Sequence, residues 1–125
     1  MQFDVDMNSD LSELFLEIRE LIMNTIDGDV KEKFSENITS YFSNEGGYCY
    51  LRTKDDYVHI GWFRGVYIDD KYGCLYGNGK TIRGQKIKEL GDKEIEAIKY
   101  YIQETLFFLL EHNELMKIKN SKKAK

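Results

Sequence analysis

The sequence predicts an α+β fold in which an antiparallel sheet of about four to five strands packs with N- and C-terminal helices. Two observations support this prediction. Nine of the ten glycines lie between Gly46 and Gly91, and seven of the nine tyrosines lie between Tyr41 and Tyr76. Because glycine destabilises helices and aromatic residues favour strands, the centre of the chain should form strands, and both flanks are free to form helices.

The first flank is predicted to form a helix from about Asp10 to Ile26. Its buried face follows the three- and four-residue spacing of a helix and consists of Leu11, Leu14, Phe15, Ile18, Leu21, Ile22 and Thr25. Asp10 followed by Glu13 indicates a capping box, with Ser9 as an alternative cap, and Gly28 is placed to end the helix.

The last flank is predicted to form a longer helix from Lys93 to about Met116, capped by Asp92. Tyr101, Phe107 and Phe108 widen its apolar surface beyond one face. Such a helix is either deeply buried or shared with a second subunit, and both alternatives stay open. The second alternative predicts a homodimer through these three residues.

Alternating side chains and short polar turns predict an antiparallel meander in the centre of the chain. The predicted strands are Asn37–Phe42, Tyr48–Thr53, Tyr57–Phe63 and Ile82–Lys88, with an irregular segment at Arg64–Asn78. The two helices should cover one face of this sheet and leave the other face partly in contact with water.

Size and charge limit the classes of protein to consider. The chain has 125 residues and 14.8 kDa, which fits one domain over 1–125, with a core at about 10–116 and a basic tail at 117–125. The net charge is −4, and because residues 114–125 sum to +4, residues 1–113 sum to −8. An acidic body argues against a nucleic-acid groove.

No apolar stretch long enough to span a membrane and no secretory signal is visible, so we expect a cytoplasmic protein without a membrane partner.

Cys49 and Cys74 are expected to be buried thiols. They stand 25 residues apart and the two histidines, His59 and His112, lie in different elements, so a zinc site is not expected. His59 is predicted to be a packed or hydrogen-bonded histidine. The parts of a nucleophilic site are missing, so no enzyme is predicted.

An acidic stripe is the most regular polar pattern in the chain. Its members recur at spacings of four and three residues and are Asp6, Asp10, Glu13, Glu17 and Glu20. On one side of a helix, such carboxylates could hold a hard or borderline cation weakly, or they could form a solvated face.

The segment Gly77–Arg83 shows some features of a phosphate-binding loop, because two glycines precede Lys80 and Arg83. A tight turn that leads into a strand is the alternative interpretation.

Three segments in order, Tyr48–Arg52, Tyr57–Gly65 and Gly77–Ile87, resemble the YdhG-like family of small bacterial domains of unknown function. The resemblance covers roughly residues 10–110. It implies a small α+β domain with terminal helices around an antiparallel sheet. The chain differs from the family pattern at Gly84, where the family often has His, and at Ile38–Phe42, where the family's first strand is rich in Gly and Pro.

One member of that family is described as a frataxin-like iron chaperone, so the resemblance implies iron as a cargo and iron–sulfur or haem assembly proteins as partners. The residues that would match its acidic ridge are Asp10, Glu13, Glu17 and Glu20. We therefore expect a non-enzymatic iron-binding carrier. The alternative is a small-ligand or protein-interaction module on the aromatic and basic side of the sheet. Its predicted surface consists of Tyr48, Tyr50, His59, Phe63, Arg64, Lys80 and Arg83, and all of these except Tyr48 are the predicted binding residues.

Overall fold

The structure, a computed structural model, describes residues 1–123, and these form an α+β fold with a five-stranded antiparallel sheet. In chain order the elements are α1 (Gln2–Met7), α2 (Ser12–Thr25), β1 (Lys31–Phe34), β2 (Thr39–Ser43), β3 (Gly46–Lys54), β4 (Tyr57–Trp62), β5 (Arg83–Ile87) and α3 (Asp92–Lys123). Each strand pairs with its neighbour along the chain, in the order β1-β2-β3-β4-β5. The predicted fold class and meander are confirmed.

The two faces of the sheet have different surroundings. On one face, Leu51 of β3 and Ile60 and Trp62 of β4 are fully buried beneath the helices. The helical residues buried in the same core are Phe15, Ile18, Ile22, Ala97, Ile98, Tyr101, Ile102 and Leu109. Tyr50 and His59 alternate with the buried strand residues and lie on the opposite face. The prediction that helices cover one face is confirmed.

The predicted first helix is confirmed as α2, but its predicted cap is wrong. Helix α2 begins at Ser12, and no side chain caps it, so the capping box of Asp10 and Glu13 does not form. Ser9 instead closes the turn between α1 and α2, because its Oγ donates to the carbonyl of Asp6 at 2.8 Å and accepts the backbone N–H of Leu11 at 3.2 Å. Helix α1 was not predicted, since six residues are too few to show a periodic pattern.

Asp6 holds α1 on the sheet and does not belong to an exposed acidic stripe, which corrects the prediction. Its side chain is fully buried. Its Oδ1 accepts hydrogen bonds from Gln2 Nε2 at 2.8 Å, from the backbone N–H of Thr53 at 2.9 Å and from Thr53 Oγ1 at 2.7 Å. A carboxylate that accepts a backbone N–H and a hydroxyl from β3 fixes the position of the helix against that strand.

Strand β1 was also not predicted, because Lys31, Glu32 and Lys33 do not show the alternation of a half-buried strand. Glu32 faces the helices, where Arg19 of α2 binds it through Nε and Nη2, each at 2.6 Å. The hydroxyl of Tyr41 donates to the same carboxylate at 2.9 Å. This bidentate, partly buried ion pair holds the edge strand against α2 and raises the pKa of the Arg19 guanidinium.

Helix α3 continues to Lys123 and does not end near Met116. Most of the predicted basic tail 117–125 is therefore helical, while residues 124 and 125 lie outside the described residues. In the part of the chain that the structure describes, no helix has the length and hydrophobicity needed to cross a membrane.

The predicted dimer surface is only partly exposed. Tyr101 is fully buried, and its ring packs against Trp62 with centroids 5.6 Å apart, so Tyr101 belongs to the core. Phe108 is half-buried and stacks on Tyr67 at 5.0 Å. Phe107 alone of the three predicted residues is exposed, at 56%. Around Tyr101 and Phe108, the apolar surface of α3 is wide because these side chains are covered by other residues of the same subunit.

The segment between β4 and β5 brings Tyr76 to the sheet. Its middle is held by α3, because the hydroxyls of Tyr100 and Tyr101 donate to Asp69 and Asp70. Its end forms an isolated bridge in which Tyr76 and Gly84 exchange backbone hydrogen bonds of 2.9 and 2.8 Å. Tyr76 thereby extends the sheet beyond β5.

Candidate functional site on the open sheet face

We call the side of the sheet that the helices leave uncovered the open face. Every charged side chain that the strands place on it, within residues 1–123, is a cation. These cations are Lys31, Lys33, Arg52, Lys54 and Lys86. The exposed carboxylates of α2 lie on the opposite side of the molecule. The net negative charge of the chain therefore does not describe this surface.

Five rings form a continuous aromatic row across the open face. In order along the row they are Phe42, Phe63, Tyr50, His59 and Tyr76. Neighbouring ring centroids are 6.0, 5.6, 5.5 and 6.0 Å apart. These separations are typical of packed aromatic pairs, so the rings support one another on the sheet.

Two glycines make room for this row. A Cβ atom at Gly61 would overlap the ring of Tyr50, and one at Gly84 would lie 2.7 Å from the His59 ring and 2.8 Å from the Tyr76 ring. The rings of Tyr50, His59 and Tyr76 therefore come close to the backbone of β4 and β5, at positions where a larger residue would displace them.

His59 joins the two tyrosines of the row. Its Nδ1 is 2.9 Å from the hydroxyl of Tyr76, and its Nε2 is 3.3 Å from the hydroxyl of Tyr50. A neutral imidazole has one donor and one acceptor nitrogen, and each tyrosine hydroxyl can take either role. The prediction of a packed, hydrogen-bonded histidine is confirmed.

Arg52, Lys54 and Lys86, which we call the basic cluster, surround His59. Arg52 of β3 and Lys86 of β5 are its direct cross-strand partners. Burial, followed by the charges of Lys54, Arg52 and Lys86, lowers the pKa of His59 to about 4. The imidazole is therefore neutral at pH 7, and it separates three cations without adding a fourth.

The basic cluster is not neutralised within the described chain. None of its three members forms an ion pair with a carboxylate of residues 1–123. The ammonium of Lys86 instead lies 5.0 Å from the ring centre of Tyr57 and 5.2 Å from that of Tyr76. Like charges on neighbouring positions of one sheet face repel one another, so an anion on the open face would reduce this repulsion.

A groove of about 330 Å³ continues the aromatic row at its Phe42 end. Phe42, Gly47 and Phe63 line it together with Thr81 and Ile82, and Arg64 lies beside them. The Arg64 guanidinium is 5.3 Å from the ring centre of Phe108, which holds it at this position. The structure thus brings the predicted site residues Tyr50, His59, Phe63 and Arg64 into one region. The prediction was wrong for Tyr48, which is buried in the core.

Of the other two predicted binding residues, Lys80 lies in the loop before β5 and Arg83 is the first residue of that strand. Arg83 Nη1 donates to the carbonyl oxygens of Gly79 at 2.7 Å and Ile82 at 2.9 Å, so its guanidinium closes the loop. This geometry matches the tight-turn interpretation of Gly77–Arg83. Lys80 is exposed at the tip of that loop.

The acidic residues of the predicted metal site are all exposed, but the structure divides them between elements. Glu13, Glu17 and Glu20 share the outer face of α2, whereas Asp10 lies in the connection before this helix. Within residues 1–123, no three His, Cys, Asp or Glu side chains converge as a metal site would require. Glu17 and Glu20 line an open groove of about 490 Å³ between α2 and α3, which Lys99 also lines.

Several residues of the open face were missed by the sequence analysis, namely Phe42, Arg52, Lys54, Tyr76 and Lys86. Strand alternation already places Arg52 and Lys54 with Tyr50, and Lys86 with Gly84, so this part of the signal was present. The position of Tyr76 could not be predicted from the sequence, because it depends on a bridge formed by an irregular segment.

Comparisons of the chain with protein-family models, curated proteins and solved structures found no match. The resemblance to the YdhG-like family therefore stays a prediction from the sequence.

Proposed function

We propose that this protein is a non-enzymatic binding module whose open face takes an anionic ligand. The observation that carries this proposal is the basic cluster, three cations without carboxylate partners in the described chain, placed around a neutral His59. Both ring nitrogens of His59 are already used by tyrosine hydroxyls. This supports a role in shaping a surface over a role in proton transfer.

The proposal is tested by titrating ¹⁵N-labelled protein with inorganic pyrophosphate and, separately, with polyglutamate. We expect chemical-shift changes at Arg52, His59 and Lys86. We also expect the pKa of His59 to rise when an anion binds, because a nearby negative charge favours the imidazolium. A histidine remote from the bound anion would not respond in this way.

Charge variants locate the site. Arg52→Gln combined with Lys86→Gln should remove most of the shift changes, because both cations flank His59. Lys99→Gln makes the same kind of charge change on the helical side of the molecule and should leave the titration unchanged. Shift changes confined to the basic end of α3, or none with either anion, would refute the proposal.

Iron carriage, which the family resemblance implies, remains a second candidate. It is supported by Glu13, Glu17 and Glu20, which share one exposed face and have no ion-pair partner within residues 1–123. An anaerobic Fe(II) titration should then show micromolar binding that Glu13→Gln with Glu17→Gln weakens, while Glu96→Gln on α3 serves as the control. If the affinity for Fe(II) is the same in the Glu13→Gln with Glu17→Gln variant, the carboxylates of α2 are not the iron site. The proposal of iron–sulfur or haem assembly partners, which depends on that site, then fails as well.

A further inference from the structure

We propose that the anionic ligand of the open face is single-stranded nucleic acid, an inference that rests on the proposed function above. Its phosphates would lie along the basic cluster, and its bases would stack on the aromatic row. The proposal depends on the positions of cationic and aromatic side chains, which lie next to one another on the open face.

The charged and aromatic positions alternate along the strands at the spacing of one sheet face. Tyr50 and Arg52 are two residues apart on β3, and Gly84 and Lys86 are two residues apart on β5. Residues at this separation stand about 7 Å apart on the same side of a strand. If the charged groups of a ligand bind Arg52 and Lys86, the neighbouring groups of the same ligand can therefore contact Tyr50 and Tyr76.

Two tyrosines of the row are accessible from the open face. Tyr50 approaches Gly61 and is half-buried, and Tyr76 approaches Gly84 and is 39% exposed. Nucleobases stack on such rings with little dependence on sequence, and each stacked base contributes about 1–3 kcal/mol. A phosphate alone would use the cations but would leave the aromatic surface unused.

The groove at the end of the row provides a place for one further base. Phe42 and Phe63 are stacked with an interplanar angle of 28° and line it together with Arg64. Aromatic rings and a guanidinium plane are the groups on which unpaired bases stack in single-strand recognition. Its volume of about 330 Å³ falls within the range of small-molecule sites.

A duplex fits this surface less well than a single strand does. The base faces of a duplex are covered by their neighbours, so a duplex cannot stack its bases on the aromatic row. The net charge of −4 argued against nucleic acid when it was averaged over the chain. The fold separates the cations of the sheet from the carboxylates of α2. A nucleic-acid strand bound along the open face would therefore contact cations, and the carboxylates of α2 would lie on the opposite side of the molecule.

Fluorescence anisotropy with a labelled oligo(dT) of about 12 nucleotides tests the inference, with the intact protein as titrant. We expect a dissociation constant on the order of 10 µM at low salt, and a salt dependence with a slope of about −2, as three phosphate contacts predict. A duplex of the same length should bind several-fold more weakly.

Two sets of variants separate charge from stacking. Arg52→Gln with Lys86→Gln should reduce the salt slope to about −0.7, because one contact remains. Tyr50→Leu, and independently Phe63→Leu, should weaken binding by about fivefold or more at unchanged slope. Lys99→Gln and Phe107→Leu are the matched controls away from the open face, and urea unfolding verifies that each variant is folded.

The outcomes distinguish the two proposals. If polyglutamate binds the open face as tightly as oligo(dT), or if the duplex does, the nucleic-acid inference fails and the anion-binding face stands. The nucleic-acid inference also fails if neither Tyr50→Leu nor Phe63→Leu changes the affinity for oligo(dT). If neither oligo(dT) nor any other anion perturbs Arg52, His59 and Lys86, both proposals fail.

Discussion

His59 illustrates how one residue can combine hydrogen bonding with a charge environment that opposes its own protonation. It is 8% exposed, it bonds to Tyr50 and Tyr76, and its charged neighbours are Lys54, Arg52 and Lys86. These surroundings lower its pKa to about 4, from an ordinary value near 6.5. At neutral pH it therefore packs as an uncharged ring.

The folded protein should lose stability as the pH falls from about 6.5 towards 4. In this window the unfolded chain protonates His59 while the folded chain does not, so the unfolded state binds more protons and the free energy of unfolding rises with pH. We expect a contribution of about 1–2 kcal/mol between pH 7 and pH 4.5. Urea unfolding of the unmodified protein and of His59→Gln, at both pH values, measures the difference. Equal pH dependence in the two proteins would contradict this prediction.

Asp6 is the residue whose removal should cost the most at the N-terminus. Asp6→Ala leaves the backbone N–H and the hydroxyl of Thr53 without their acceptor, and unsatisfied buried groups cost about 1–3 kcal/mol each. We expect a loss of about 2–3 kcal/mol in urea unfolding. Asp4→Ala, in the same helix at an exposed position, should change the stability by less than about 0.5 kcal/mol. A similar loss for both variants would show that Asp6 acts only through the helix.

At the scale of elements, helices α2 and α3 and strands β2, β3 and β4 could be predicted because each has a strong repeating pattern. Ile18 and Ile22 repeat at helical spacing, and Leu51 and Ile60 lie in alternating runs. Helix α1 and strand β1 could not be predicted, because both are stabilised by distant contacts. Asp6 bonds to Thr53, and Arg19 bonds to Glu32, and neither pairing has a local signal. The acidic stripe was misassigned at Asp6 for the same reason.

The candidate site was predictable in part on the same grounds. Strand alternation identified the face that carries Tyr50, His59 and Phe63. It could not show that Arg83 is bound to its own loop, since that contact depends on how the irregular segment folds. Nor could net charge show that the sheet and α2 carry opposite charges, because composition has no spatial information.

The packing of rings over glycine in β4 and β5 leads to a prediction at the element scale. Gly61→Ala places a Cβ atom where the Tyr50 ring lies, so the ring must move away from the sheet and from His59. We expect a destabilisation of about 1–2 kcal/mol and a change in the ring resonances of His59. Gly79→Ala, whose Cβ would meet only the carbonyl oxygen of Ile82 at 3.4 Å, should have neither effect. An unshifted His59 spectrum in Gly61→Ala would contradict the proposed contact.

At the scale of the whole molecule, α3 is longer than the body it packs on. Its 32 residues span about 48 Å, whereas a domain of this length has a radius of gyration of about 14 Å. Leu109 is its last buried residue, and residues 114–122 are all exposed. The apolar residues exposed on the second half of α3 are Phe107, Leu110, Leu115, Met116 and Ile118. An isolated helix end in water is marginally stable, so a packing partner would stabilise it.

A second copy of α3 in antiparallel orientation would supply such a partner. It would place Glu111 and Glu114 of one helix near Lys117 and Lys119 of the other, and it would cover apolar side chains that are exposed in the single subunit. The dimer predicted from the sequence would then use Phe107 together with residues further along the helix, and not the buried Tyr101.

The expected result is a molecular mass in sedimentation equilibrium that rises with concentration towards twice the 14.8 kDa of one chain. Phe107→Lys with Ile118→Lys should abolish the rise, because charged side chains would replace the apolar contact. Val66→Lys changes an apolar residue of 40% exposure outside α3 and should leave the association unchanged. A mass that stays at one chain up to high micromolar concentration would contradict the dimer. It would leave the open face unaffected, because that face lies on the side of the sheet away from α3.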